Sequence, residues 1–197
     1  MLVVHLARHG THDEVGRVLS GRSEIALNAA GQAEASGLAA MTQEARLPVT
    51  RIISSPRCRA RQTAVPASKQ LELPIETAPA LDEIDFGGFT GRSFAQLDGD
   101  PLWQRWNAER HTARCPGGET MAEASGRAAD FLFALPAQEG AVLCVTHCDV
   151  IRGLVACLLG LPFHTMFMFG CDPGSVTTLG IAPGVVQVIG LNRRDRL

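Results

Sequence analysis

Leu2-Val3-Val4-His5-Leu6-Ala7-Arg8-His9-Gly10-Thr11 is the stretch on which the reading of this chain turns. It is short, rich in Val and Leu, and apolar on both sides of its alternation, which is the pattern of a strand buried on both faces. Such strands belong to parallel sheets covered by helices, and ligands of open α/β sheets sit beyond the carboxyl ends of the strands. This strand ends on Arg8 and His9, two side chains able to do chemistry.

Reading outward, Asn28 is an N-cap for an Ala-rich helix over about 29–46, and Arg51-Ile52-Ile53-Ser54 is a second short strand. Ser55 reads as the cap of a helix with Pro56 at its first position, which Pro66 should end or kink after about two turns. Residues 79–119 are irregular. Within them Ser93 with Gln96 forms a capping box, and Asp100-Pro101 starts a helix at Leu102. Thr120 with Glu123 is a further capping box, ahead of an amphipathic helix through Met121, Ala124, Ala128, Phe131 and Leu135. Residues 142–146 read as a buried strand, followed by a helix over about 150–159. Two strands, about 175–181 and 185–191, are joined by Ala182-Pro183-Gly184 as a hairpin. The expected fold is a three-layer α/β sandwich: a mostly parallel central sheet, helices on both faces, and an antiparallel C-terminal hairpin at one edge.

The chain of 197 residues fits one domain, 1–197, with 46% apolar and 19% charged residues. A net charge of −2 excludes a generally basic nucleic-acid surface. Lys69 is the only lysine among 18 basic residues, and the arginines that make up the rest suit planar or tetrahedral oxyanions. The longest uncharged apolar run, residues 153–163, is about half the ~20 residues a bilayer requires, so no membrane span is expected. The six cysteines at 58, 115, 144, 148, 157 and 171 show no framework spacing and read as reduced thiols of a cytoplasmic protein.

Three strands therefore deliver chemistry to one rim. The first brings Arg8 and His9, the strand of 142–146 brings His147, and the strand at 51–54 leads into a helix carrying Arg57, Arg59 and Arg61. Two imidazoles and two guanidiniums suit a phosphate dianion: the cations neutralise it, one imidazole attacks phosphorus, and the other donates to it. At about 100° per residue Arg57 and Arg61 share a helix face opposite Arg59. Geometry leaves open which set faces the ligand.

Arg8-His9-Gly10-Thr11 resembles the signature of the histidine phosphatase superfamily, in its phosphoglycerate mutase-like branch. Further stretches follow in that family's order: residues 27–33, 54–64, 81–91, 116–120 and 145–147. The resemblance selects Arg59 and implies that His9 becomes a phosphohistidine, with Arg8, Arg59 and His147 clamping the phosphoryl oxygens. It implies that Glu83 protonates the leaving alkoxide and then activates water, with Asp82 and Asp85 near enough to substitute for it. Thr11, Arg22 and Cys148 are candidate phosphate or substrate contacts, and no metal or cofactor is implied. Two departures stand out: Val15 replaces a frequent Asn, and Cys148 replaces a usual Gly. The neighbouring Asp149 would disfavour a heavily anionic ligand.

The activity expected is that of a metal-independent phosphomonoesterase acting on a small-molecule phosphate ester, of the α-ribazole phosphatase-like or broad-specificity kind. Phosphoglycerate mutase-type transfer is the runner-up, and a non-catalytic phosphate-binding regulator the reading from another class. His5, His9 and His12 could suggest a metal site, but an ion on His9 would block the nucleophile. Arg17 reads equally as a phosphate contact or a solvated loop residue. Arg110, His111 and Arg114 lie where the resemblance implies contact with the substrate's distal end, with surface charge the favoured reading. The run Phe163, Met166, Phe167, Met168 and Phe169 reads as core, with a pocket wall or a homodimer patch as alternatives.

Overall fold

In the computed structural model, which describes residues 1–136 and 140–194, the strands are β1 (Leu2–Arg8), β2 (Val49–Ser54), β3 (Ile75–Thr77), β4 (Ala141–Thr146), β5 (Val176–Ala182) and β6 (Val185–Arg193). The helices are α1 (Ala29–Gln43), α2 (Cys58–Leu71), α3 (Phe94–Asp98), α4 (Pro101–Ala108), α5 (Met121–Ala134) and α6 (Cys148–Leu158). The six strands form one sheet in the order β3-β2-β4-β1-β5-β6. The pairs β2–β3, β2–β4 and β1–β4 are parallel, and β5 runs against both β1 and β6.

The period-2 alternation of β1 explains the layering. Leu2, Val4 and Leu6 face a core completed by Met121, Ala124, Ala128 and Leu132 of α5 and by Val150, Ile151 and Leu154 of α6. Val3 and Ala7 face the opposite core, where Leu38, Ala39 and Met41 of α1 meet Ala60, Ala64 and Ala67 of α2. The predicted sandwich is therefore the observed one, with the hairpin at the edge.

Local signals hold where side chains cap. Asn28 accepts from the Gly31 N–H, both capping boxes form, and Asp100 caps α4, which begins at Pro101. The second proposed cap fails. Arg57, not Ser55, is the N-cap of α2, and the Ser55 hydroxyl goes to His147 instead. Nor does Pro66 end the helix, because buried residues on both sides of it, from Arg59 to Ala67, hold α2 to Leu71. The three-residue β3 was not anticipated, and α6 begins at Cys148, two residues early. Among the described residues no helix is long and apolar enough to cross a membrane.

The irregular segment between β3 and α5 holds its shape around aromatics. Trp106 is fully buried, stacked on Trp103 at 5.4 Å and met edge-on by Phe86 at 5.4 Å. This cluster fixes the backbone that carries Glu83.

Candidate active site

Because β4 lies between β2 and β1, three strand ends are adjacent. The His9 N–H donates to the Thr146 carbonyl at 2.9 Å, and the Ser55 N–H to that of Val145 at 2.9 Å. The His9 loop is also tied to α2 by a 2.9 Å bond from the Gly10 N–H to the Thr63 hydroxyl. Helix α1 approaches closely: a Cβ at Gly10 would lie 2.6 Å from the Gly31 carbonyl oxygen, and one at Gly31 would lie 2.1 Å from that of Thr11.

His9 is 4% exposed. Its Nδ1 lies 2.8 Å from the Gly10 carbonyl oxygen, which can only accept, so Nδ1 carries the proton and Nε2 keeps its lone pair. Burial first, and then the charge of Arg59, hold its pKa well below the ordinary 6.5, so the ring is neutral. The His147 ring lies 5.2 Å away and the His12 ring 5.4 Å.

Arg59 is 1% exposed and points inward, donating to the carbonyls of Ser23 (2.9 Å) and Gly21 (2.7 Å) and to Nδ1 of His147 (3.0 Å). With Nδ1 accepting, His147 Nε2–H donates to the Ser55 hydroxyl at 2.7 Å. Burial, then Arg59, keep His147 uncharged as well. Arg57 turns the other way to Asp82 and Glu24, and Arg61 is exposed. The helix-face ambiguity is thus resolved in favour of Arg59. Arg8 donates to the Cys171 carbonyl at 2.7 Å. The buried Nε atoms of Arg8 and Arg59 have no partner among the described residues, and buried guanidinium donors of this kind match the oxygens of an anion.

Of the three candidate acids, two are committed elsewhere. Asp82 accepts from Arg57 at 2.9 Å and from the Glu83 N–H at 2.8 Å. Asp85 pairs with Arg22 at 3.3 Å and caps the Gly87 N–H. Among the described residues, Glu83 has no such cation on its carboxylate. Its Oε1 accepts from the Ile84 N–H at 3.0 Å, and Oε2 lies 3.7 Å from His147 Nδ1. Burial, helped by the negative charge of Asp149, raises its pKa to about 8.

Arg8, His9, Arg59, Glu83 and Cys148 line one cavity of about 340 Å³, together with Val15 and Asp149. A hydrogen bond from Cys171 lowers the pKa of the Cys148 thiol. Thr11 and Arg22 do not reach this cavity. The Thr11 N–H and hydroxyl are both spent on the Glu34 carboxylate (2.7 and 3.1 Å). Arg22 lies among Asp82, Asp85 and Glu119 and donates to the Glu83 carbonyl, so it braces the acid's loop instead of meeting phosphate. Arg110 also corrects the sequence reading: it is 5% exposed and lines the cavity. An arginine flanked by Trp106 and Asn107 is the signal that could have shown this. Its neighbours behave as expected, His111 stacking on Phe163 and Arg114 pairing with Glu123. Phe167 joins the cavity wall, Phe163 and Met166 are buried, and Met168 is exposed. Arg17 bonds the Asp13 carbonyl.

This geometry can be set against known proteins. The chain is 33% identical over 170 residues to a Proteus mirabilis protein named "Probable phosphoglycerate mutase GpmB", covering 83% of this chain and 78% of that one. It superposes on the α-ribazole phosphatase of Shigella flexneri with a TM-score of 0.85 and 26% identity, over 99% of this chain and 98% of that one. A mycobacterial glucosyl-3-phosphoglycerate phosphatase, solved in complex with VO3, gives a TM-score of 0.85 at 26% identity, over 98% and 99% of the two chains. The sequence model of the histidine phosphatase superfamily, branch 1, matches residues 4–194. With the family's sequence model matching nearly its full length and its fold shared with solved phosphatases, the chain belongs to the histidine phosphatase superfamily, branch 1, a family of enzymes acting on phosphate esters.

Proposed function

We propose that the protein is a metal-independent phosphomonoesterase that works through a phosphohistidine on His9. The observation that carries this reading is the pairing, in one cavity, of two groups that are both uncharged at neutral pH: the His9 imidazole and the Glu83 carboxyl. A nucleophile must keep its lone pair and a general acid must keep its proton, and burial supplies both conditions.

The steps balance. Nε2 of His9 bonds to phosphorus as the ester P–O bond breaks, and the Glu83 proton passes to the leaving oxygen. The resulting carboxylate then takes a proton from water, whose oxygen bonds to phosphorus as the N–P bond breaks, and inorganic phosphate leaves. Arg8 and Arg59, the second of which is bonded to His147, hold the equatorial oxygens, where the charge of a loose transition state resides. The two guanidiniums provide the positive charge, so hydrolysis is expected to persist in EDTA.

The test is a single turnover with a labelled phosphate ester, quenched in alkali because phosphohistidine is acid-labile. Label should appear on the wild-type chain and be absent from His9→Ala. Hydrolysis at the wild-type rate by His9→Ala would refute the nucleophile assignment.

The 33%-identical relative favours a second reading, transfer between positions of a phosphoglycerate. Transfer in the presence of a bisphosphoglycerate without release of inorganic phosphate would support the mutase instead.

A further inference from the structure

We infer that Asp149, set against Arg110 in the cavity wall, selects against a second negative charge on the substrate, so that the leaving group this site accepts is uncharged and presents an apolar face. The inference rests on the phosphomonoesterase reading and names the substrate class of that same site.

Beyond the phosphate-binding residues the cavity is walled by Val15, Leu19, Phe94, Trp103 and Phe167. The most buried cation of this part of the wall is Arg110; its Nε has no partner among the described residues, but a carboxylate already faces the guanidinium. Its guanidinium lies 4.1 Å from the centre of the Trp106 ring and 4.8 Å from that of Phe167. It donates to the Asn107 side chain at 2.5 Å and faces the Asp149 carboxylate at 3.9 Å. Arg152, further along the wall, donates to the Phe169 carbonyl at 3.2 Å and lies over Phe167. A substrate carboxylate that approached Arg110 would meet Asp149 at the same place, and like charges in a low-dielectric cavity repel strongly. An uncharged leaving group avoids that repulsion. If it also carries an apolar face, it covers the partly buried Trp103 ring and the exposed Phe167 ring. Asp149 is held in place by the first turn of α6, next to Cys148.

The experiment measures kcat/KM for benzyl phosphate, glycerol 3-phosphate and 3-phosphoglycerate with the wild type and Asp149→Asn. The last two substrates differ by one carboxylate. Ratios between substrates on one preparation do not depend on the fraction folded. In the wild type the order should be benzyl phosphate, then glycerol 3-phosphate, then 3-phosphoglycerate. Asp149→Asn should raise the 3-phosphoglycerate to glycerol 3-phosphate ratio roughly tenfold, leaving the benzyl to glycerol ratio in place. A ratio unmoved by the substitution, or a wild type that prefers 3-phosphoglycerate, overturns the inference. A wild type that hydrolyses none of the three and carries no label on His9 instead overturns the phosphomonoesterase reading beneath it.

Discussion

Arg59 donates to Nδ1 of His147 at 3.0 Å while two backbone carbonyls, of Gly21 and Ser23, hold the rest of its guanidinium. One cation thereby fixes the tautomer of the second histidine and adds to burial, the larger cause, in depressing the pKa of both. Lysine cannot reproduce this fork. Arg59→Lys should lower kcat/KM by about 10²–10³-fold, the scale of losing an oxyanion donor. Steady-state kinetics with any accepted phosphate ester would check it, and a loss under threefold would mean that Arg59 does not meet the phosphoryl group.

The protonation states predict the pH profile. Glu83 acts as an acid while protonated, so kcat/KM should fall above about pH 8, the value to which burial raises it. The acid limb belongs to His9 and should lie well below pH 6.5. Glu83→Gln should remove the alkaline limb and most of the activity with it. A limb that survives in that variant belongs to another group.

The same carboxyl leaves a mark on stability. Its folded pKa is raised, so the folded state holds a proton that the unfolded chain releases from about pH 4.5 upward. This group by itself therefore lowers wild-type stability between pH 4.5 and about 8, by up to about 1.4 kcal/mol per pH unit, against the opposite contribution of the buried histidines below pH 6.5. Glu83→Gln lacks that loss, so its Tm relative to wild type should climb across the window and level off above it. Denaturation at a series of pH values gives the answer.

Gly31 lets α1 lie against the His9 loop. A methyl group there meets the Thr11 carbonyl oxygen at 2.1 Å, backbone that cannot step aside. Gly31→Ala should cost about 1–3 kcal/mol in urea unfolding and lower kcat by displacing His9.

Arg22 offers a contrast with Arg59. Its guanidinium is about a third exposed and serves Asp82, Asp85 and Glu119. Arg22→Met should lower Tm by a few degrees, yet leave inhibition by inorganic phosphate within about twofold. A large weakening of phosphate inhibition would return Arg22 to the anion site.

Much of this was legible in the sequence because it was local or periodic. Strand ends bearing Arg8, His9 and His147, and caps at Asn28, Ser93 and Thr120, depend on neighbours a few residues away. What was not legible depends on distant partners. Glu83 stands apart from Asp82 and Asp85 only once Arg22 and Arg57 are seen to take the other two. Pro66 stays helical because α1 and β2 pack over α2, and β3 exists because β2 offers an open edge. Thr11 and Arg22 looked like phosphate ligands until Glu34, Asp85 and Glu119 appeared beside them. Arg110 looked like surface charge because its other enclosing ring, Phe167, lies far away in the sequence.

The sheet order has a last implication, for biosynthesis. β1 precedes the other strands of its sheet in the chain, yet both of its hydrogen-bonded neighbours, β4 and β5, lie in residues 141–182. Until that late segment emerges, β1 is unpaired and β2 is paired only with β3, leaving apolar edges of the kind that aggregate. A nascent chain stalled before residue 141 should need chaperone protection and should be devoid of activity, because the nucleophile and its clamp are brought together only when β4 slots between them.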